Sequence, residues 1–373
     1  MKAVFSALKN YIRRSDILLL CLCLSCSIFG IILIASATNV QDTSQFVLVQ
    51  SAATVMGICL YFLFSLIDVD IMAQKWKVLY IFSVLFIMSL QIFGVADNTG
   101  NKAWIRFAGI GIQPAEIVKI CFIITLAKHL DTIKNDINYI KNVFLLLMHL
   151  AVPLILILAQ PDFGSAMVFV FIFIVMVFVA NIDWRYILTG CLTGGVIAVV
   201  SWFFFFDSYQ KNRIYALFNP ESAAESYGYH VVQSKIAIGS GQITGKGLLN
   251  GIQTQLGYLP EKHTDFIFSV IGEEGGIIMC MITTLILMGM ILRCIKIARE
   301  AKDELGSFIC MGVAAMWLFH TFENIGMAIG IMPVTGIPLP FISYGGSSAV
   351  TNCMALGLVL NVYMRRKTLT FLS

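Results

Sequence analysis

The sequence predicts an all-α, polytopic membrane protein with about ten transmembrane helices and one large extracellular loop between helices seven and eight. Two observations carry that prediction. Of the 373 residues, 58% are hydrophobic and only 12% are charged, about half the charged share of a soluble domain. Apolar runs long enough to cross a bilayer also recur near residues 17–37, 46–66, 78–95, 114–130, 142–159, 164–181, 186–206, 265–292, 307–331 and 346–364. Backbone polar groups in lipid must be satisfied internally, so these runs are helices. The strict alternation of a membrane barrel is absent.

The first run follows a basic N-terminal stretch, residues 1–16, and no A-x-A-like cleavage site follows it, so it reads as a retained helix. Lys75, Lys77, Lys128, Lys134, Lys141, Arg185, Arg293, Lys296, Arg299 and Lys302 then fall on the same side as that N-terminus, as do Arg365 to Lys367. The positive-inside rule puts both termini, 1–16 and 365–373, in the cytoplasm of a single membrane domain. The protein thus reads as a multi-pass membrane chain with both termini on the inner side. The net charge is +4 and the basic residues are scattered, so no nucleic-acid partner is expected. The 10 cysteines fall in apolar stretches and read as small space-fillers, not as disulfides or a zinc site. The phenylalanines 203–206 read as lipid-facing filler.

Residues 207–264 form the one long connection, on the outer side. Val232 and Ile236 have helical spacing between polar residues, which predicts an amphipathic helix over 229–238 at the membrane surface. The glycines that follow do not make a phosphate loop, because Lys246 precedes Gly247 and not Ser or Thr.

Charges within spans are costly and mark candidate function. They are Glu116 and Lys119 in the fourth span, Glu273 and Glu274 in the eighth, and Glu323 in the ninth. Glu116 and Lys119 share a helix face. They read either as a self-neutralising bridge or as the lining of a polar cavity open to the outer leaflet. Leu259 to Phe268 gathers Glu261, Lys262, His263 and Asp265 at the start of the eighth span. Asp265 has two readings: a first-turn carboxylate behind a Thr264 N-cap, or a general base at headgroup depth for a lipid-linked substrate. Asn101 to Arg106, with Trp104 as a belt residue, and the turn Gln160 to Ser165 are further features. Met332 to Ser348, rich in Pro and Gly, predicts non-helical backbone at membrane depth, tolerated only inside protein or along a cavity.

Together these stretches resemble the SEDS family (shape, elongation, division and sporulation), and its rod-shape branch more than its division branch. The matching motifs are Trp104-Ile105, Gln113-Pro114-x-Glu116-x-x-Lys119, Gln160-Pro161-Asp162-x-Gly164, Gln233-Ser234-x-x-Ala237-Ile238, His263 to Phe268, and the proline run ending Ser343-Tyr344-Gly345-Gly346-Ser347. The likeness covers nearly the whole chain. Ala103 stands where many members carry a basic residue and Ala115 replaces a frequent Ser; Lys102 and Arg106 are the cations left near Trp104.

The resemblance implies a peptidoglycan glycosyltransferase that polymerises lipid II into β-1,4 glycan strands at the outer face of the membrane, with Asp265 as the catalytic aspartate. It implies supporting or substrate-binding roles for Trp104, Arg106, Glu116, Lys119, Gln233, Ser234, Lys246, Lys262, His263, Thr264 and Ser343. Charge on the leaving pyrophosphate calls for cations: a divalent ion (Mg2+ or Mn2+), Lys119, Arg106 or basic residues of the long loop. Asp265 or Glu116 would hold such a metal, and no organic cofactor is expected. The helix near 231–238 would gate the lipid substrates. The expected partners are lipid II, the growing glycan strand and a class B penicillin-binding protein, whose single transmembrane helix would pack near spans eight and nine. A lipid II flippase is the competing reading.

Overall fold

The computed structural model describes residues 11–39, 43–95, 102–107, 110–204, 208–218 and 227–366. The parts of the expected termini and of the long loop beyond these ranges, and Asn101 of the Trp104 motif, lie outside the described residues. In chain order the helices are α1 (Ile17–Ala37), α2 (Thr43–Leu66), α3 (Val69–Gln74), α4 (Trp76–Met88), α5 (Leu90–Phe93), α6 (Pro114–Ile133), α7 (Ile140–Leu158), α8 (Phe163–Val179) and α9 (Trp184–Phe204). Then come α10 (Ser208–Phe218), α11 (Tyr227–Ser240), α12 (Ile252–Gln255), α13 (Ile267–Glu300), α14 (Glu304–Ile329) and α15 (Gly346–Met364). Each expected span coincides with a helix or, for the third, with the pair α4 and α5. Among the described residues, 8 helical stretches are long and apolar enough to cross a membrane, α4 and α5 counted as one. The helix α8 is apolar but shorter, and α6 carries Glu116, Lys119, Lys128 and Asp131.

The all-α class holds, with one short antiparallel hairpin, Ile105–Phe107 (β1) and Ile110–Ile112 (β2), before α6. One expectation needs correction. The eighth span starts at Ile267 with Phe266 at the cap position and no side-chain cap. Thr264 is therefore not its N-cap; its hydroxyl bonds Glu261 instead.

The helices α15 and α14 form the enclosed centre, and α9 lies at the rim with no buried side chain among those described. α15 packs along α2, and small residues allow the close crossing: a Cβ on Gly57 would lie 2.8 Å from Cys353 Sγ, and one on Gly357 2.7 Å from Tyr61 O. Polar side chains add specific ties. Trp317 Nε1 donates to Asn352 Oδ1 at 2.9 Å, and Asn361 Nδ2 donates to Phe64 O at 2.9 Å and Ser65 O at 3.1 Å. Both described ends of the chain meet at one end of the bundle. Asp16 caps α1 through Leu19 N and pairs with Arg293 Nε at 2.6 Å, and that guanidinium lies over the Tyr363 ring.

The long connection folds back onto the bundle. α11 is a helix, as expected, but its buried face is Val231, Ser234 and Ala237, packed on α13 and α14, while Ile236 is exposed.

The α13 helix is broken at Gly276 (φ 66°, ψ −171°). The loop after α11 repairs the break. Ile277 N and Ile278 N donate to Gln242 O and Ile243 O, while Glu273 O and Glu274 O accept from Lys246 N and Gly247 N. These four bonds satisfy inside protein backbone groups that the break takes out of the helix ladder.

Candidate active site

The site is built where the start of α13 meets the proline-rich run between α14 and α15. Gly330 closes α14 in the left-handed conformation (φ 74°). The run is non-helical, as expected, and its polar groups are satisfied inside protein. Leu339 N donates to Ser343 Oγ at 2.8 Å, Gly345 N donates to Gln50 Oε1 at 3.0 Å, and Tyr344 N donates to His263 O at 2.9 Å. Asn324, fully buried on α14, donates from Nδ2 to both Asp265 O and Ile337 O at 2.8 Å. Between Thr335 and Ile337, Gly336 takes φ 77°, and a Cβ there would lie 3.4 Å from Asp265 Oδ2. The Asp265 carboxylate therefore stands against the Gly336 turn.

Asp265 is partly buried and lies in the turn before α13. Its pKa is pushed up to about 7, chiefly by burial, with Glu261 adding to the rise and Arg213 opposing it. Beside it, burial lowers His263 below the usual imidazole range. The His263 ring packs with Phe46 (centroids 4.8 Å) and Tyr344 (5.4 Å).

On the other side of Gly336 lies a polar cavity of about 20 Å³, lined among others by Gln113, Glu116, Lys119, Asp162, His320 and Gly336. That is room for one water and not for a sugar. Lys119 Nζ donates to Glu116 Oε1 at 2.6 Å and to His320 Nε2 at 3.0 Å, all three side chains being buried. An ammonium only donates, so His320 Nε2 is the acceptor. Gln113 Nε2 reaches Asp162 Oδ2 at 3.2 Å, and Asp162 Oδ1 caps α8 at Ser165 N. Both readings of the Glu116–Lys119 pair hold in part. The pair is an internal ion bridge and it lines a polar cavity, but that cavity is water-sized.

The other sequence candidates divide. Trp104 lies beside the hairpin, where a Cβ on Gly111 would be 3.2 Å from its ring, and Arg106 is exposed on β1. Gln233 is half-buried on α11, and Ser234 is buried, its hydroxyl 2.6 Å from Ser269 Oγ and 2.5 Å from Ala328 O. α11 is thereby latched to α13 and α14. Lys246 and Lys262 are turned to structure. Lys246 Nζ bonds Glu273 at 3.1 Å and Lys262 Nζ donates to Thr254 O at 2.5 Å, with burial lowering the Lys262 pKa. Ser343 tightens its own turn. Glu273 and Glu274 are anchors for the loop. Glu273 accepts from Gln253 N, Thr254 N and Thr254 Oγ1, and Glu274 from Ser36 Oγ and Leu249 N. Sequence reasoning missed His320, Asn324 and Gly336 as site residues. The helical spacing of His320, Glu323 and Asn324 in the ninth span was the available signal. It also missed Arg213.

A multi-span membrane protein with a near-neutral carboxylate at the mouth of a broken-helix region is the class these features define. A family model of cell cycle proteins (FtsW, RodA, SpoVE) matches residues 16–368. The chain belongs to that family. It is 35% identical over 294 residues to the peptidoglycan glycosyltransferase MrdB of Escherichia coli K12, covering 78% of each chain. It is 32% identical over 367 residues to the probable peptidoglycan glycosyltransferase FtsW of Geobacter metallireducens, covering 95% of this chain and 96% of that one. Among solved structures, a chain from a peptidoglycan synthase complex that coordinates polymerization and crosslinking superposes with TM-score 0.81 at 28% identity, over 94% of this chain and 97% of that one. The rod shape determining protein RodA of Thermus thermophilus superposes with TM-score 0.72 at 26% identity, over 95% and 98%; its aspartate-to-alanine mutant has also been solved.

Proposed function

We propose that this chain is a peptidoglycan glycosyltransferase that polymerises lipid II into β-1,4 glycan strands at the outer face of the cytoplasmic membrane, serving elongation and cell shape. The observation that carries the reading is Asp265, a carboxylate with a pKa near 7 held against Gly336 by the proline run, in a family whose relatives are named for this activity. A base poised near the working pH takes a proton efficiently. The acceptor sugar's 4-hydroxyl gives its proton to Asp265 as its oxygen bonds to the donor's anomeric carbon. The bond from that carbon to pyrophosphate breaks with inversion, and the pyrophosphate leaves as an anion that needs no acid. One carboxylate suffices, unlike the pair in most glycosidases.

Negative charge on the leaving group is met by exposed Arg106 and by Arg213, whose charge already acts on Asp265. Lys119, Glu116 and His320 back the Gly336 turn. A divalent cation, Mg2+ or Mn2+, is the one cofactor this reading expects. Asp265 with Glu261 nearby would hold it only as an alternative to taking the proton, since Mg2+ takes one or two carboxylates plus substrate phosphates; Glu116 already carries the Lys119 ammonium. Among the described residues no three His, Cys, Asp or Glu side chains converge into a cage of protein ligands. Bound there, the ion would stabilise charge on the pyrophosphate.

The apolar groove along α2, lined by Val47, Leu48, Val55 and Met56 and starting beside Phe46, suits the isoprenoid chain. Exposed Ile278, Ile282, Leu285 and Leu292 on α13 offer an apolar face for the transmembrane helix of a class B penicillin-binding protein. Both termini lie in the cytoplasm on this reading. A flippase needs a polar path across the whole bundle, and the water-sized cavity at the Asp265 end offers none. The test supplies labelled lipid II and Mn2+ to the purified complex with its partner. Long strands from the wild type support the reading. Lipid II translocation in liposomes without strand synthesis overturns it in favour of transport.

A further inference from the structure

We infer that Asn324 is the positioning residue of the active site: its carboxamide ties Asp265 to the Gly336 turn and so sets where the carboxylate stands. The inference rests on the glycosyltransferase reading of Asp265. Asn324 is fully buried in the last turns of α14. Its Nδ2 has two N–H groups, and each is spent on one wall of the site, Asp265 O and Ile337 O, both at 2.8 Å. Ile337 follows Gly336, the residue that meets the carboxylate. One side chain thus spans the turn before α13 and the proline run, two segments outside regular structure. The neighbouring Glu323 holds the same run one step earlier, its Oε1 accepting from Thr335 Oγ1 at 2.9 Å.

The carboxamide is kept for its donors. Asn324 Oδ1 is buried with no partner among the described residues, a penalty an apolar residue would avoid. An aspartate of the same shape would turn an oxygen toward two carbonyl oxygens. Without the pair of bonds, Asp265 and Gly336 are free to part, and displacement of a base by about 1 Å can cost on the order of 100-fold in rate. Asn324 touches neither reacting atom, so substrate binding should be spared.

The experiment compares kcat and KM for lipid II in wild type, Asn324→Ala, Asn324→Asp and Asn361→Ala, each as the complex with its partner. Asn361 is the control: it is fully buried and donates to backbone carbonyls of α2, at the end of the bundle where Arg365 pairs with Asp68. Its loss should lower the melting temperature and leave kcat alone. The inference expects kcat to fall roughly 10- to 100-fold in Asn324→Ala and at least as far in Asn324→Asp, with KM within about twofold. If Asn324→Ala does not fold, Asn324→Ser, which keeps one donor, should show the same split with a smaller loss. An unchanged kcat, a change confined to KM, or an equal kcat loss in Asn361→Ala overturns the inference while strands from the wild type keep the parent reading. A well-folded wild type that makes no strands sinks the parent reading and this inference with it.

Discussion

Asp265 is held where its charge is disfavoured, and that has a direct consequence for pH. The base must be ionised to accept a proton. Burial and Glu261 raise its pKa to about 7 against the pull of Arg213, so strand synthesis should rise with pH through about 7 and level off above it. Initial rates measured from about pH 5.5 to 8.5 check this, with the partner's melting followed in parallel. A limb near the usual carboxylate range of about 4 would mean that Asp265 is solvated and the base lies elsewhere. The charge of Asp265 and its place before an apolar run were legible in the sequence. The partners of Lys246, Lys262 and Thr264 were not. Lys246 pairs 27 residues away, which follows from how the loop folds back on the bundle and which no local pattern encodes, while Lys262 and Thr264 find partners 8 and 3 residues away in the turns of the loop itself.

At the scale of elements, two breaks in regular structure make the site possible. The break in α13 is closed by the loop after α11, and Glu273 locks that loop with its carboxylate. Replacing Glu273 by Ala leaves buried N–H groups and the Lys246 ammonium without an acceptor. It should cost on the order of 3 kcal/mol, read as a lower melting temperature and faster proteolysis after Lys246. A variant as stable as wild type would show that the loop is held by other contacts. At Gly336 the left-handed φ excludes a side chain for about 1–2 kcal/mol, and the new Cβ would stand 3.4 Å from Asp265 Oδ2. Gly336→Ala should therefore reduce strand synthesis more than it reduces stability. Parallel melting and activity curves decide, and a loss of stability alone would remove Gly336 from the site. The spans were legible because the length of an apolar run is itself the physical requirement for crossing a bilayer. The hairpin at 105–112 is too short to carry a periodic signal. The α11 helix was legible from its spacing, but its packed face was not, because helix–helix contact favours small residues such as Ser234 and Ala237.

For the whole molecule, the bundle brings the described chain ends together through Asp16, Arg293 and Tyr363, at the end where Arg365 pairs with Asp68. On the proposed reading this is the cytoplasmic end, the side the positive-inside rule expects for the basic loops. Reporter fusions after residue 366 and within the 208–218 helix should then report opposite sides of the membrane. The same side for both would invert or break the topology and move Asp265 away from an outer-face substrate. The architecture was legible from composition and run length. The assignment to peptidoglycan synthesis was not. It came from motifs whose chemistry becomes visible only when α13, α14 and the proline run converge on one carboxylate.

The most direct test of the central claim separates binding from turnover in Asp265→Asn. Lipid II binding and strand synthesis would be measured on the same purified complex. The account predicts binding within about threefold of wild type and synthesis reduced by roughly 100- to 10,000-fold, the contribution typical of a positioned general base. Strand synthesis at the wild-type rate would contradict it, and so would a loss of binding large enough to account for the missing strands.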